Sequence, residues 1–181
     1  MLRERKGVAT FQGNPLTLIG QELKIGDKAR DFSVVDNALK PVTLASSKGK
    51  TRLISAVPSI DTPVCDFQTK RFNREAGKLS GDIAILTISM DLPFAQVRWC
   101  GAEGVDKVQI LSDYQNASFG SAYGVLIKEL RLLARAIFVV GPDDTIKYVE
   151  YVKEITTHPD YDKVLGFLRG KSQSSRSCRC G

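Results

Sequence analysis

The sequence predicts an α/β sandwich in which helices flank a mixed central sheet, and three observations predict it. Short apolar strands alternate with helical patterns through the middle of the chain. The stretch "DIAILTIS", residues 82–89, is a continuous apolar run, the pattern of a strand covered on both faces. A hairpin signal and one last helical pattern then close the order.

Taken in order, "VATFQGNPLTL" places two extended runs around a Gly-Asn-Pro turn, which predicts an N-terminal β-hairpin over residues 8–18. "DFSVVD" and "PVTLA" predict a second short extended pair. "TRLISAVP" is an apolar strand ended by Pro58, and residues 63–79 carry Cys65, Phe72, Ala76 and Leu79 on one helical face. After residues 82–89, a helix is predicted from Pro93 to Ala102, then the strand "KVQIL" and a short helical segment from Asn116 to Ala122. "ARAIFVV" and "TIKYVEY" flank the hairpin turn "GPDD", and the last helix runs from Pro159 to Arg169. Residues 1–170 are thus expected to form a single domain. The polar end "KSQSSRSCRCG", residues 171–181, is expected to be a flexible tail.

Composition narrows the function. The 26 Lys and Arg residues exceed the 20 acids by enough for a net charge of +6, but they are scattered. No basic helix or aromatic-interleaved stripe argues for nucleic acid. Apolar runs such as Ala136 to Val140 fall far short of the ~20 residues of a membrane span. The charged and polar N-terminus lacks a signal-peptide core, so a soluble, cytoplasmic protein is expected. Of four cysteines, Cys178 and Cys180 fall in the tail, and Cys65 and Cys100 fall in the body. That is too few for a disulfide framework, and single distant cysteines with one histidine, His158, argue against zinc.

Cys65 sits where a helix should begin. Thr62 suits the N-cap and Pro63 the first helical position, so Cys65 falls at the third, where unpaired amides and the positive helix end favour a thiolate. Asp61 and Asp66 flank the site and oppose that charge, so a cation from elsewhere is needed. Ionisation alone achieves little: a drop from the ordinary ~8.5 to ~6 gives a thiol about thirtyfold more thiolate, and lost nucleophilicity takes back about tenfold. Fast chemistry therefore requires donors aimed at the transition state. The helix argument by itself leaves Cys65 open as a reactive thiol or an inert core residue. The Cys65–Arg71 spacing of a phosphatase loop is present, but "DFQTK" has no glycine with which to wrap a phosphate. A cysteine protease would need His158 as base, and His158 is expected on the surface near the last helix. Cys100, beside Trp99, reads on its own as a buried helix residue.

Two blocks carry a resemblance. "PSIDTPVC", residues 58–65, resembles the P-x-x-x-T-x-x-C motif of peroxiredoxins, and "SMDLPFAQVRWCGAEG", residues 89–104, is similar to the second-cysteine segment of their thiol peroxidase subfamily, the atypical two-cysteine type. "FQGNPLTL", "LLARAIFVV" and "EITTHPDY" extend the likeness from Gly7 to Leu168. The resemblance implies a thioredoxin-like fold with an added N-terminal hairpin. It implies a hydroperoxide substrate, attack by Cys65, resolution by Cys100 as an intrachain disulfide, and thioredoxin as reductant. It assigns Thr62 and Arg135 to peroxide binding, Arg135 being the missing cation, and Pro58 to shielding the site. It further implies a homodimer, and it calls for no cofactor or metal. A redox-sensing interaction protein using the same two cysteines is the competing expectation.

Overall fold

The computed structural model describes the backbone of residues 3–174. Strands β1 (Glu4–Phe11) and β2 (Asn14–Ile19) form the predicted N-terminal hairpin, and β3 (Ser33–Val35) and β4 (Pro41–Thr43) form the second pair. The order continues with β5 (Thr51–Ala56), α1 (Pro63–Ala76), β6 (Ile83–Ser89), α2 (Pro93–Glu103), β7 (Gln109–Ser112) and α3 (Ser118–Ala122). It closes with β8 (Leu126–Ile127), β9 (Ala136–Val140), β10 (Ile146–Tyr151) and α4 (Tyr161–Ser174).

Seven strands form a mixed sheet in the order β10-β9-β5-β6-β7-β3-β4, with β5, β6 and β7 parallel to their neighbours within that trio. The hairpin and β8 make a separate three-stranded sheet. The two-residue β8 has too little length for a periodic signal, and the sequence reading missed it.

Alternation along the central strands divides the core in two. On β9, Ala136, Phe138 and Val140 belong to the apolar cluster that holds the hairpin and α3, including Leu16, Leu18, Phe119 and Tyr123. Ile137 and Val139 belong to the other cluster, with Phe72 of α1 and Val164, Leu165 and Leu168 of α4. Cys65 is fully buried in this second cluster, against which Cys100 packs partly buried.

Two helix C-termini differ from expectation by more than one residue. Helix α1 ends at Ala76 because Gly77 follows as its cap, leaving Leu79 in the next turn. Helix α4 runs to Ser174, so residues 171–174 are helix where the tail was expected to begin. No proline interrupts them, and a lone Gly170 weakens a helix by only about 1 kcal/mol. Cys178 and Cys180 lie outside the described residues. Among the described residues no helix is long and apolar enough to cross a membrane.

Candidate active site

The parallel strands β5 and β6 carry the chain to one edge of the sheet. There residues 57–62 leave β5 and turn into α1. Thr62 adopts the extended backbone of an N-cap (φ −110°, ψ 149°), Pro63 opens the helix, and Cys65 takes the third position, as the register predicted. The Cys65 amide, among the first four of the helix, has no carbonyl one turn back inside it.

The Thr62 hydroxyl does not cap the helix, contrary to the role its position suggested. It lies 2.7 Å from Cys65 Sγ and 3.2 Å from the Ser59 carbonyl. The Ser59 carbonyl and the sulfur hold the side chain turned inward, away from the helix amides.

Arg135 comes from the residue before β9 and is 2% exposed. Its Nη2 donates to Cys65 Sγ at 3.3 Å, its Nη1 to Gln68 Oε1 at 2.7 Å, and its Nε to the Ile155 carbonyl at 3.0 Å. Gln68 Nε2 in turn donates to Ser55 Oγ at 2.6 Å. The sequence reading missed Gln68, although its i, i+3 spacing from Cys65 puts both on one helix face.

Of the flanking acids, Asp66 is paired with Lys70 at 2.9 Å, and Lys70 also reaches Glu103 of α2 at 2.5 Å. Asp61 is exposed. Opposition from the flanks is thus smaller than the sequence suggested. Arg71 is engaged with Glu75 and Asp162, and His158 is an exposed residue bonded to Tyr161 Oη, so neither joins the site.

A pocket of about 380 Å³ opens over this edge, lined by Phe11, Pro58, Thr62, Val64, Leu130, Leu132, Arg135 and Ile155 among others. Its lining includes the Thr62 and Arg135 side chains that touch the sulfur. Buried Pro58 forms part of the wall.

Cys100 lies in the last turn of α2, where Gly104 in left-handed backbone (φ 64°) closes the helix onto the Cys100 carbonyl. It borders a different pocket, of about 360 Å³, with Asp36, Asn37, Asp106 and Val108. Both sulfurs are free thiols. Burial pushes the Cys100 thiol up from its ordinary range, and a hydrogen bond with Asn37 offsets part of that rise.

A buried cysteine at a helix start, faced by a hydroxyl and a buried guanidinium beneath an open pocket, is an arrangement suited to thiol redox chemistry. The chain matches the Redoxin family over residues 24–165. It is 60% identical to the thiol peroxidase of Bacillus subtilis over 86% of this chain and 93% of that one, and 56% identical to a thiol peroxidase of Staphylococcus aureus over 86% and 94%. A peroxiredoxin-like protein from Aquifex aeolicus superposes with a TM-score of 0.84 at 37% identity, covering 93% of this chain and 98% of that one. The chain belongs to the Redoxin family, in its thiol peroxidase subfamily of peroxiredoxins. It is a peroxiredoxin-type peroxidase with the thioredoxin-like fold and N-terminal hairpin that the sequence implied.

Proposed function

We propose that Cys65 is the peroxide-reducing thiol of this thiol-dependent peroxidase. Its thiolate attacks one oxygen of the hydroperoxide, the O–O bond breaks, and the other oxygen leaves with a proton as water or alcohol. Cys65 is then a sulfenic acid. The Cys100 thiolate attacks that sulfur and displaces hydroxide, which takes up a proton and leaves as water, as the intrachain disulfide forms. The dithiol of thioredoxin reduces this disulfide and is itself oxidised.

The observation that carries this reading is the convergence of Thr62 Oγ1 and Arg135 Nη2 on one buried sulfur. Donors fixed before the reaction stabilise charge as it moves from sulfur to the leaving oxygen without reorganising. The apolar wall of Phe11, Pro58, Leu130 and Ile155 supports organic hydroperoxides as substrates alongside hydrogen peroxide.

Because Cys65 is fully buried beneath one pocket while Cys100 borders another, this reading requires α2 to loosen around Cys100 and α1 around Cys65 in each cycle. A single domain and a cytoplasmic location belong to the same reading. A homodimer does too, with exposed Leu92, Phe94 and Val97 giving a second copy apolar surface to cover.

The test is turnover. With thioredoxin, thioredoxin reductase and NADPH, the chain should consume peroxide steadily. Cys65→Ser should abolish this, and Cys100→Ser should permit one oxidation and block recycling through the disulfide. Full turnover by Cys65→Ser would overturn the assignment.

A further inference from the structure

The parallel strands β5, β6 and β7 end side by side, and Asp91, two residues beyond β6, spans all three ends. Asp91 Oδ1 accepts from Ser59 Oγ at 2.7 Å, and its Oδ2 accepts from the Ile60 amide at 2.8 Å. Its own backbone is held as well: Ser112 Oγ, at the end of β7, donates to the Asp91 carbonyl at 2.5 Å. The carboxylate is therefore fixed to the sheet, and the loop before α1 is fixed to the carboxylate.

The consequence falls on Thr62. Its single hydroxyl proton has two acceptors in reach, the Ser59 carbonyl and Cys65 Sγ. Where Ser59 sits decides whether Thr62 donates to the loop, leaving its lone pairs for an incoming O–H, or donates to the sulfur. Two charge-assisted bonds from one carboxylate, one to Ser59 itself and one to the next residue, set that position.

We infer that Asp91 is a positioning residue for the peroxide reaction, acting through Ser59 on the Thr62 hydroxyl. The inference rests on the reading of Cys65 as the attacking thiol. It explains why a carboxylate stands on the segment that leads into the second-cysteine helix: its partners are on the first-cysteine loop, 31 and 32 residues earlier.

A double-mutant cycle in the full chain carrying Cys100→Ser tests it. The rate constant for oxidation of Cys65 by hydrogen peroxide is followed by mass, as the dimedone adduct of the Cys65 peptide. Asp91→Ala is expected to slow this step about tenfold, the worth of one well-placed hydrogen bond. In a chain already carrying Thr62→Val, the same change should have almost no further effect. Ser59→Ala, which keeps the bond to Ile60 and so disturbs folding less, should reproduce a smaller share of the loss with the same dependence on Thr62. Equal slowing with and without the Thr62 hydroxyl, or no slowing by either variant, overturns the inference alone. Failure of Cys65 to form an adduct in the chain with Asp91 intact overturns the reading beneath it as well.

Discussion

Arg135 and Cys65 are 70 residues apart in the chain and meet in the core, where Nη2 donates to the sulfur at 3.3 Å. Its other hydrogen-bond partners there are neutral, the Gln68 amide oxygen and the Ile155 carbonyl. Of the three, only the sulfur can carry negative charge. A buried guanidinium without an anionic partner is costly, so a negative charge on that sulfur in the proposed reaction would also settle the arginine.

Arg135→Lys tests whether the fork or only the charge is needed. An ammonium is a point charge and cannot serve Gln68, Ile155 and Cys65 from one planar group. The rate of Cys65 oxidation should fall about 100-fold, the scale for losing one preorganised donor at a developing charge. Stopped-flow measurement with hydrogen peroxide decides it, and a lysine variant of undiminished rate would show that charge alone suffices.

Gln68 gives a second, opposite probe. Gln68→Glu keeps the shape but places a carboxylate against Arg135, which diverts the guanidinium from the sulfur. The melting temperature should hold or rise, because the arginine gains an anion, while Cys65 oxidation slows at least tenfold. Thermal melts and peroxide kinetics on one preparation show whether the two move apart; if both fall together, Gln68 is a packing residue only.

Thr62 separates catalysis from capping. A threonine whose hydroxyl caps a helix is worth about 1 kcal/mol, but here that hydroxyl makes no cap bond. Thr62→Val should therefore shift the melting temperature very little while slowing peroxide reduction about tenfold or more. Thr62→Ser, which keeps the hydroxyl, should stay within a few-fold of the parent chain. A large drop in stability for the valine variant would return the hydroxyl to the helix end.

How much of this was legible in the sequence depends on how local each signal is. The register of Thr62, Pro63 and Cys65 follows from helix-start chemistry within four residues, and the structure keeps it. The inward turn of the Thr62 hydroxyl was half legible, because capping and contact with the sulfur compete and only tertiary packing chooses between them. Arg135 could not be found by periodicity at all; the resemblance supplied it, since the strand order that sets β9 beside β5 is a property of the whole sheet. Gln68 was hidden by its type, a polar residue on a face that otherwise reads as core. Asp91 had no local signal, as its partners Ser59 and Ile60 come from a different strand's end.

Acid should loosen the tie on the N-terminal hairpin. Glu154 accepts from the Gly13 and Gln12 amides, from Thr10 Oγ1 and from Thr156, and these bonds, led by that from Gly13, hold its carboxyl down at about 2. A folded value below the unfolded one adds stability that is complete above the unfolded carboxylate range near 4.5 and is lost as pH falls from there toward about 2. Urea midpoints should show Glu154→Gln less stable than the parent at pH ~7 and nearly equal to it at pH ~2, where about half of the carboxyl is neutral and most of the linkage is lost. A gap that does not narrow on acidification would mean that the carboxylate charge is not what ties the turn down.

Cys100 makes the last prediction, because its thiol is raised by burial and, in the proposed cycle, must be a thiolate to attack the sulfenic acid. In the folded, reduced chain the reactive fraction of Cys100 at neutral pH is therefore smaller than that of a free cysteine, and it grows as pH rises. Unwinding the last turn of α2, as the proposed cycle requires, would return the sulfur to water and to the ordinary range. Alkylation of Cys100 in Cys65→Ser, read by peptide mass so that the tail cysteines do not interfere, should accordingly show a midpoint at higher pH in the native chain than in denaturing urea. Disulfide formation in the parent chain should depend on pH with a midpoint nearer the urea value, since the attacking thiol has by then left its buried place. Identical alkylation midpoints in the native and unfolded states would mean that burial does not hold Cys100 protonated, and the helix would then be no brake on the second step.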